Sequence, residues 1–246
     1  MRSTKLILLP LALTLAAATA FAQKHSTAHV AAEIQDKLYH ARIYEHGNVQ
    51  VQFDNGVATL TGTVDSVGVK QDAERAARRV DDVLRVEDNV QVNGEDVTPQ
   101  QIVERARHDI LTYYAYSIFD WITLDAEGNT LAVKGEVSQP FKKEDIGNFL
   151  AHIKGVARLD NQLEVLPLSP FDDSLRIAIA RAIYNDPYFL QYAMQPLPPI
   201  HIVVKNGNVR LEGVVATALD RAKADSDARL AATYFAFTNN LQVERQ

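Results

Sequence analysis

Histidines, carboxylates and aromatic side chains are the groups in this 246-residue sequence whose types and spacing could do chemistry. Cleavage after Ala22 would make Gln23-Lys24-His25 a new N-terminus. A free amine, two main-chain amides and a third-position imidazole wrap Cu(II) or Ni(II) in a square plane, with His29 four positions on to assist. The competing reading is an exposed terminus that binds nothing, and cyclisation of Gln23 would remove the amine donor. His40, His46, His108, His152 and His201 are scattered and read as structural or surface residues. The carboxylate pairs Asp81-Asp82 and Asp172-Asp173 are adjacent, so on a helix they diverge, and they read as solvated faces or caps rather than an acid–base pair. The sequence has no nucleophile elbow, phosphate loop, dinucleotide fingerprint or His-Glu-x-x-His pattern. The expectation is a protein that is not an enzyme and carries no cofactor.

Aromatic clustering is the better lead. Prolines at 187, 196, 198 and 199 break up helix and strand between Asn185 and Pro199. Tyr188, Phe189, Leu190, Tyr192, Met194 and Leu197 are therefore expected on a loop, open to a membrane interface or a partner groove. Tyr113, Tyr114, Tyr116, Phe119 and Trp121 form a second group. For both groups the alternative is that they seal one domain against the next.

The compartment follows from the start of the chain and from cysteine. Arg2 and Lys5 precede an apolar stretch from Leu6 to Ala20 that ends in Ala20-Phe21-Ala22, the pattern of a secretory signal peptide over residues 1–22. The sequence has no cysteine, which excludes disulfides, thiolate metal sites and a lipid-modified cysteine. The expected product is soluble and periplasmic. Its net charge of −6 becomes −8 once Arg2 and Lys5 leave, so it is no general binder of nucleic acid or anionic lipid.

Three strands of period two must position whatever the aromatic groups do: Ala58-Leu60-Gly62-Val64, Leu131-Val133-Gly135-Val137 and Val209-Leu211-Gly213-Val215. Each follows a turn signal, Asn55-Gly56, Gly128-Asn129 or Asn206-Gly207, and an earlier strand, so each pair reads as a hairpin. Helical spacing follows, as in Ala73, Ala76, Ala77 and Val80, and then a last strand. The interval from central glycine to last valine is identical in the three copies: Gly62 to Val92, Gly135 to Val165 and Gly213 to Val243. An amphipathic helix opens each copy, carried by Val30, Ile34 and Leu38, by Val103, Ala106 and Ile110, and by Leu175, Ile179 and Ile183, with Thr98 and Asp172 or Asp173 as caps. Gly135 and Gly213 stand slightly further apart than Gly62 and Gly135, and the insertion falls in the third copy between its first helix and first strand.

The expected fold is α+β, three tandem αββαβ units over residues 26–94, 97–167 and 170–246. Each unit is a three-stranded mixed sheet with two helices on one face. The other face carries Gln50, Gln52, Thr59, Thr61 and Thr63 in the first copy, Lys134 and Glu136 in the second, and can meet water. A side chain at Gly62, Gly135 or Gly213 would collide with the covering helix.

This order, with its V/L-x-G-x-V strand and an Asn-containing last strand (Asn89, Asn161, Asn239 and Asn240), resembles BON domains, named for bacterial osmotically inducible and nodulation proteins. The resemblance covers about residues 26 to 246 and implies envelope maintenance under osmotic or other stress, with phospholipid or membrane association. Two other readings stand beside it. One is a periplasmic chaperone or adaptor that accepts client strands on the exposed edge of each first strand. The other is a structural spacer. Asp227 departs from the pattern by taking an apolar helix position. Phospholipid surfaces and envelope proteins are the expected partners.

Overall fold

Tight turns open the architecture: Asn55, Gly56, Gly128, Asn206 and Gly207 all adopt positive φ, which reverses the chain in each of three hairpins. The computed structural model describes residues 26–94 and 96–244, so the expected leader and His25 lie outside the described residues. In chain order the first set of elements is α1 (Thr27–His40), a 3-10 turn (Ile43–Glu45), β1 (Gly47–Asp54), β2 (Val57–Val64), α2 (Val67–Ala77) and β3 (Arg85–Val92). The second is α3 (Pro99–Thr112), β4 (Trp121–Glu127), β5 (Thr130–Val137), α4 (Pro140–Ala151) and β6 (Arg158–Val165). The third begins with α5 (Pro170–Tyr184), a 3-10 turn (Pro187–Phe189) and α6 (Leu190–Ala193). It ends with β7 (Ile200–Lys205), β8 (Asn208–Val215), α7 (Ala218–Ala231), β9 (Ala236–Asn239) and β10 (Gln242–Val243).

The class is mixed α+β, as expected. β2, β5 and β8 are central, each antiparallel to the strand before it and parallel to the strand after the crossover helix. Val57 pairs with Arg85, Thr130 with Arg158 and Asn208 with Ala236, so the parallel register is the same in all three sheets. The third sheet departs from the expected three strands, because its last strand is split into β9 and β10. Both halves keep that register, Val214 pairing with Gln242, so one ladder is interrupted at Asn240-Leu241. Each sheet packs one apolar face on its helices, with Val30, Ile34, Leu38, Ala73 and Leu60 in the first core. Ile102, Ala106, Ile146, Leu150 and Val133 form the second, where Ile102 is buried rather than the expected Val103, and Ile179, Ile183, Ala224 and Leu211 form the third.

The central glycines have a reason other than the expected one. Gly62, Gly135 and Gly213 have φ near +122°, +125° and +122°, and a Cβ there would fall on the carbonyl oxygen of Asn48, Trp121 or Pro199. The obstacle is the adjacent strand's backbone and not the covering helix. The last-strand motif is also shifted in the first copy, where Asp88, not Asn89, matches Asn161 and Asn239. All three accept a bond from the main-chain N–H two positions on, at 3.0, 3.2 and 3.1 Å. Asn161 and Asn239 also donate to the carbonyls of Lys143 and Arg221 on the crossover helix. Asp88 has no N–H to give, and Lys70 on α2 spans the gap instead, donating to the Val90 carbonyl at 2.6 Å with its ammonium 3.9 Å from the carboxylate.

Helix starts follow capping rules. Thr98 and Gln101 form a capping box ahead of α3, and Thr217 and Asp220 form one ahead of α7. α5 is capped by Ser169 with Pro170 behind it, not by Asp172 or Asp173. Asp172 is instead buried and accepts the Asn206 and Gly207 N–H groups, both at 2.8 Å, tying α5 to the hairpin turn.

On the open face of the second sheet Lys134 is exposed as expected, whereas Glu136 is half-buried and turned toward the third sheet. Glu136 pairs with Arg210 at 2.7 Å, Glu164 with Lys205 at 2.5 Å, and Trp121 lies against His201. In the first sheet Gln50, Gln52 and Thr63 are exposed as expected, whereas Thr59 and Thr61 are half-buried.

Candidate functional site

The proline-broken segment is not an open loop. Asp186 caps it by accepting the Tyr188 N–H at 2.8 Å, and the chain then coils through the 3-10 turn into α6. Phe189 and Tyr192 point into the third core. The Tyr192 hydroxyl donates to Asp220 at 2.8 Å and accepts the Ala216 N–H at 2.8 Å, while the Tyr188 hydroxyl donates to Asp220 at 2.6 Å. Burial works to raise the Asp220 carboxyl, but these bonds and those from Thr217 outweigh it and hold it below the usual carboxylate range. Lys223 bonds both Asp186 and Asp227, which accounts for an acid at that helix position. The segment thus seals the end of the third sheet where α7 begins. Of the six residues expected on a contact surface, Leu190 and Met194 are exposed, Tyr188 is exposed but bonded, Leu197 is half-buried, and Phe189 and Tyr192 are withdrawn.

Another exposed apolar surface lies at the opposite end of the same sheet. The rings of Phe171 and Phe235 are 6.0 Å apart and meet over Gly207 at the hairpin turn. Leu168 precedes α5 and Leu230 lies in the last turn of α7, both at this end of the layer. Phe235, Leu168 and Leu230 are 80%, 76% and 83% exposed, and Phe171 is half-exposed. The sequence carried one overlooked signal for this tip. Leu84, Ala157 and Phe235 stand at the same interval after Gly62, Gly135 and Gly213, and each donates its N–H to the hairpin-turn carbonyl of Gly56, Asn129 or Gly207. At the second sheet the position is a small alanine, and that tip is occupied by the first sheet's layer: Gly155 donates to the Asp65 carbonyl and Val67 to the Val156 carbonyl, both at 2.8 Å. At the first and third sheets the position is a large apolar side chain left in solvent.

Three aromatics of the second group, Tyr116, Phe119 and Trp121, converge on the junction of the second and third sheets, while Tyr113 packs against Phe149 in the second core. Tyr116 and Trp121 flank His201 at 5.6 and 5.2 Å, Phe119 packs on the third core, and Tyr114 stays exposed. Beside them Asp120 and Lys142 form a buried ion pair at 2.7 Å. One Asp120 oxygen accepts the Ser138 N–H, and the other accepts Lys142 and both the N–H and hydroxyl of Ser117. With both oxygens engaged, this carboxylate is a structural anchor and not a base. His201 donates from Nδ1 to the Asp120 carbonyl at 2.6 Å. Burial pushes its pKa below the ordinary histidine value, partly opposed by the Asp120 and Ser117 backbone bonds. A depressed histidine contributes stability that is complete above about pH 6.5 and is lost as pH falls through the folded-state value. The stability advantage of wild type over His201→Gln is therefore expected to shrink between pH 7.5 and 5, read by urea unfolding; an advantage constant with pH would refute the neutral, buried assignment.

His29 lies in the first turn of α1 and donates its main-chain N–H to the Ser26 hydroxyl, while His25 is outside the described residues. Among the described residues no three His, Asp or Glu side chains gather closely enough to hold a metal ion, and no helix is long and apolar enough to cross a membrane.

A family model described as BON domain matches residues 26–94 and 172–245. No curated protein matches the chain. Among solved structures, the chain is similar to the C-terminal domain of CdsD, a structural protein of the type III secretion system of Chlamydia trachomatis, at 16% identity over 85% of this chain and 96% of that one, with a TM-score of 0.25. It is also similar to the periplasmic domain of the inner-membrane protein PrgH from S. typhimurium, at 14% identity over 84% and 98%, with a TM-score of 0.22.

Proposed function

The chain belongs to the BON domain family, and from that membership we propose a non-enzymatic periplasmic envelope protein of three tandem BON units, residues 26–94, 97–167 and 170–246, that rests on phospholipid surfaces through the tip of its third unit. The middle unit lies outside the family match, but it shares the parallel register of the other two, a central glycine at φ +125° and the Asn161 lock to the crossover helix. The observation that carries the membrane contact is the exposed Phe171–Phe235 ring pair over Gly207. Burying such side chains gives roughly 1.5–3 kcal/mol each, set against an association cost of about 4 kcal/mol or more. The balance is a weak, reversible attachment. A net charge of −6 adds no attraction to anionic headgroups, so the contact is apolar and insensitive to salt.

Flotation with zwitterionic vesicles tests this. Phe171→Ser with Phe235→Ser is expected to lower the bound fraction about tenfold, with little change on adding salt or anionic lipid. Leu190→Ser with Met194→Ser probes the coiled segment at the other end and is expected to have a smaller effect. An unchanged bound fraction in the double phenylalanine variant would remove the tip from the mechanism. The chaperone reading is favoured by one observation, the edge position of β1, which among the described residues pairs only with β2; the β7 edge is partly closed by the Ile118 carbonyl, which accepts the Ile202 N–H at 2.7 Å. Suppression of client aggregation without lipid would favour it over membrane contact.

A further inference from the structure

Along the outer edge of the second sheet, α3 and β4 leave a groove of about 630 Å³ between them. Glu127 pairs with Thr130 beside the two-residue turn, so Glu127, Asp125 and Thr123 bond β5, while Ile122, Leu124 and Ala126 turn their N–H and C=O groups outward. The Tyr116 hydroxyl accepts the Ile122 N–H. Leu124 and Ala126 open onto the groove, whose other wall is the stripe Val103, Arg107 and Leu111 of α3. Val103, Leu124 and Ala126 are half-buried, and Leu111 is 53% exposed.

The third sheet carries the same edge closed. Arg176 and Tyr184 hold the places on α5, relative to buried Ile183, that Val103 and Leu111 hold on α3 relative to buried Ile110. Ile200, Ile202 and Val204 likewise match Ile122, Leu124 and Ala126 when counted back from Gly213 and Gly135. Arg176 donates to the Val204 carbonyl at 2.7 Å, and the Ile202 N–H bonds the Ile118 carbonyl. The Tyr184 hydroxyl donates to the Ile200 carbonyl at 2.5 Å and accepts the Ile200 N–H at 3.0 Å. Valine and leucine have no polar group with which to close the β4 edge in this way.

We propose that the α3–β4 groove accepts an extended peptide segment, added to β4 as a further strand, with one carboxylate between two aliphatic side chains on the face turned to α3. Main-chain groups at a sheet edge are matched by another strand and by nothing in a lipid chain. Residues two apart on a strand are separated by about 6.8 Å and residues four apart on a helix by about 6 Å, so alternate peptide side chains keep step with Leu111, Arg107 and Val103. Arg107, unlike Arg105 with its Asp109, has no acid partner among the described residues, and the peptide carboxylate supplies one. Glu104 and Asp125 also line the groove and disfavour a run of acids. The site shares no residue with the lipid contact on the third sheet and is separate from the β1 edge.

Fluorescence anisotropy of the whole protein with a labelled, end-blocked Thr-Val-Thr-Glu-Thr-Val-Thr peptide tests this. Binding is expected to saturate and to weaken about tenfold when the peptide glutamate is replaced by glutamine. Hydrogen exchange at the Leu124 and Ala126 amides is expected to slow on binding, with β5 amides unchanged. Val103→Arg with Leu111→Tyr transfers the closing groups of α5 and is expected to abolish binding. Arg107→Gln, at an exposed position, is expected to bind both peptides alike and keeps the test open if the double variant fails to fold. No binding at about 1 mM peptide, equal wild-type affinity for the two peptides, or protection at Val51 of β1 in place of Leu124 overturns the proposal. Binding to zwitterionic vesicles that Val103→Arg with Leu111→Tyr removes, while no peptide binds, overturns it equally by making the groove a lipid site.

Discussion

Gly135→Ala is expected to cost about 3–5 kcal/mol of stability, the range in which substitutions disable a small domain. Two penalties coincide there. The backbone has φ +125°, a conformation open to glycine and closed in practice to L-residues, worth about 1–3 kcal/mol on its own. The added methyl group also falls on the Trp121 carbonyl oxygen of the paired strand, where main chain and not a flexible side chain must move. Relief would need β4 to shift against β5, and every ladder bond of the hairpin resists that. Gly128→Ala provides the comparison, since φ is +54° but nothing lies within 4 Å, so strain of about 1–2 kcal/mol acts alone. Urea unfolding of the two variants separates the effects. A Gly135→Ala protein no less stable than Gly128→Ala would show that the strands yield easily and that the glycine is not required by the pairing. Gly62 and Gly213, with closely similar φ and the same kind of obstacle, are expected to behave alike.

Lys142→Met is expected to cost as much, about 3–5 kcal/mol, because it leaves the Asp120 carboxylate buried with its cation gone. Methionine fills most of the volume, so the loss measures charge more than packing. The serine donors stay in place but cannot neutralise the carboxylate. Asp120→Ala is expected to be at least as costly, since it orphans the Ser117 and Ser138 N–H groups as well as the ammonium. Thermal and urea unfolding check both, and a Lys142→Met loss below about 1 kcal/mol would mean that water reaches the pair. Because His201 bonds the Asp120 carbonyl, loosening is expected to spread into the contact with the third sheet, visible as faster exchange of the Ile202 amide.

The position seven places after the central glycine shows how far the sequence could be read. It holds Val69, Lys142 and Asp220, all buried in the first turns of α2, α4 and α7. Hydrophobic periodicity accounts for the valine and has no account of the other two, whose partners are Asp120 and the tyrosines at 188 and 192, distant in sequence. The same limit explains the aromatic segment. Four prolines do mark irregular chain, but whether Phe189 and Tyr192 face solvent or core depends on α7, which lies beyond the whole β7–β8 hairpin. Phe235 stands at the interval after Gly213 that Leu84 and Ala157 keep after Gly62 and Gly135, but its exposure beside Phe171 depends on the hairpin tip having no covering layer among the described residues.

Strand alternation, helix spacing, hairpin turns and the constant interval from central glycine to last strand belong to the sequence alone, because the pleat, the helical turn and the positive φ of a tight turn are properties of short stretches of backbone. Which faces meet, why the mid-strand glycines are needed, which aromatics stay in solvent and where a histidine bridges two helices were decided by tertiary structure. Each depends on groups far apart in the chain, Asp120 and His201 or Asp72 and His152, whose desolvation and bonding exist only after the chain has closed around them.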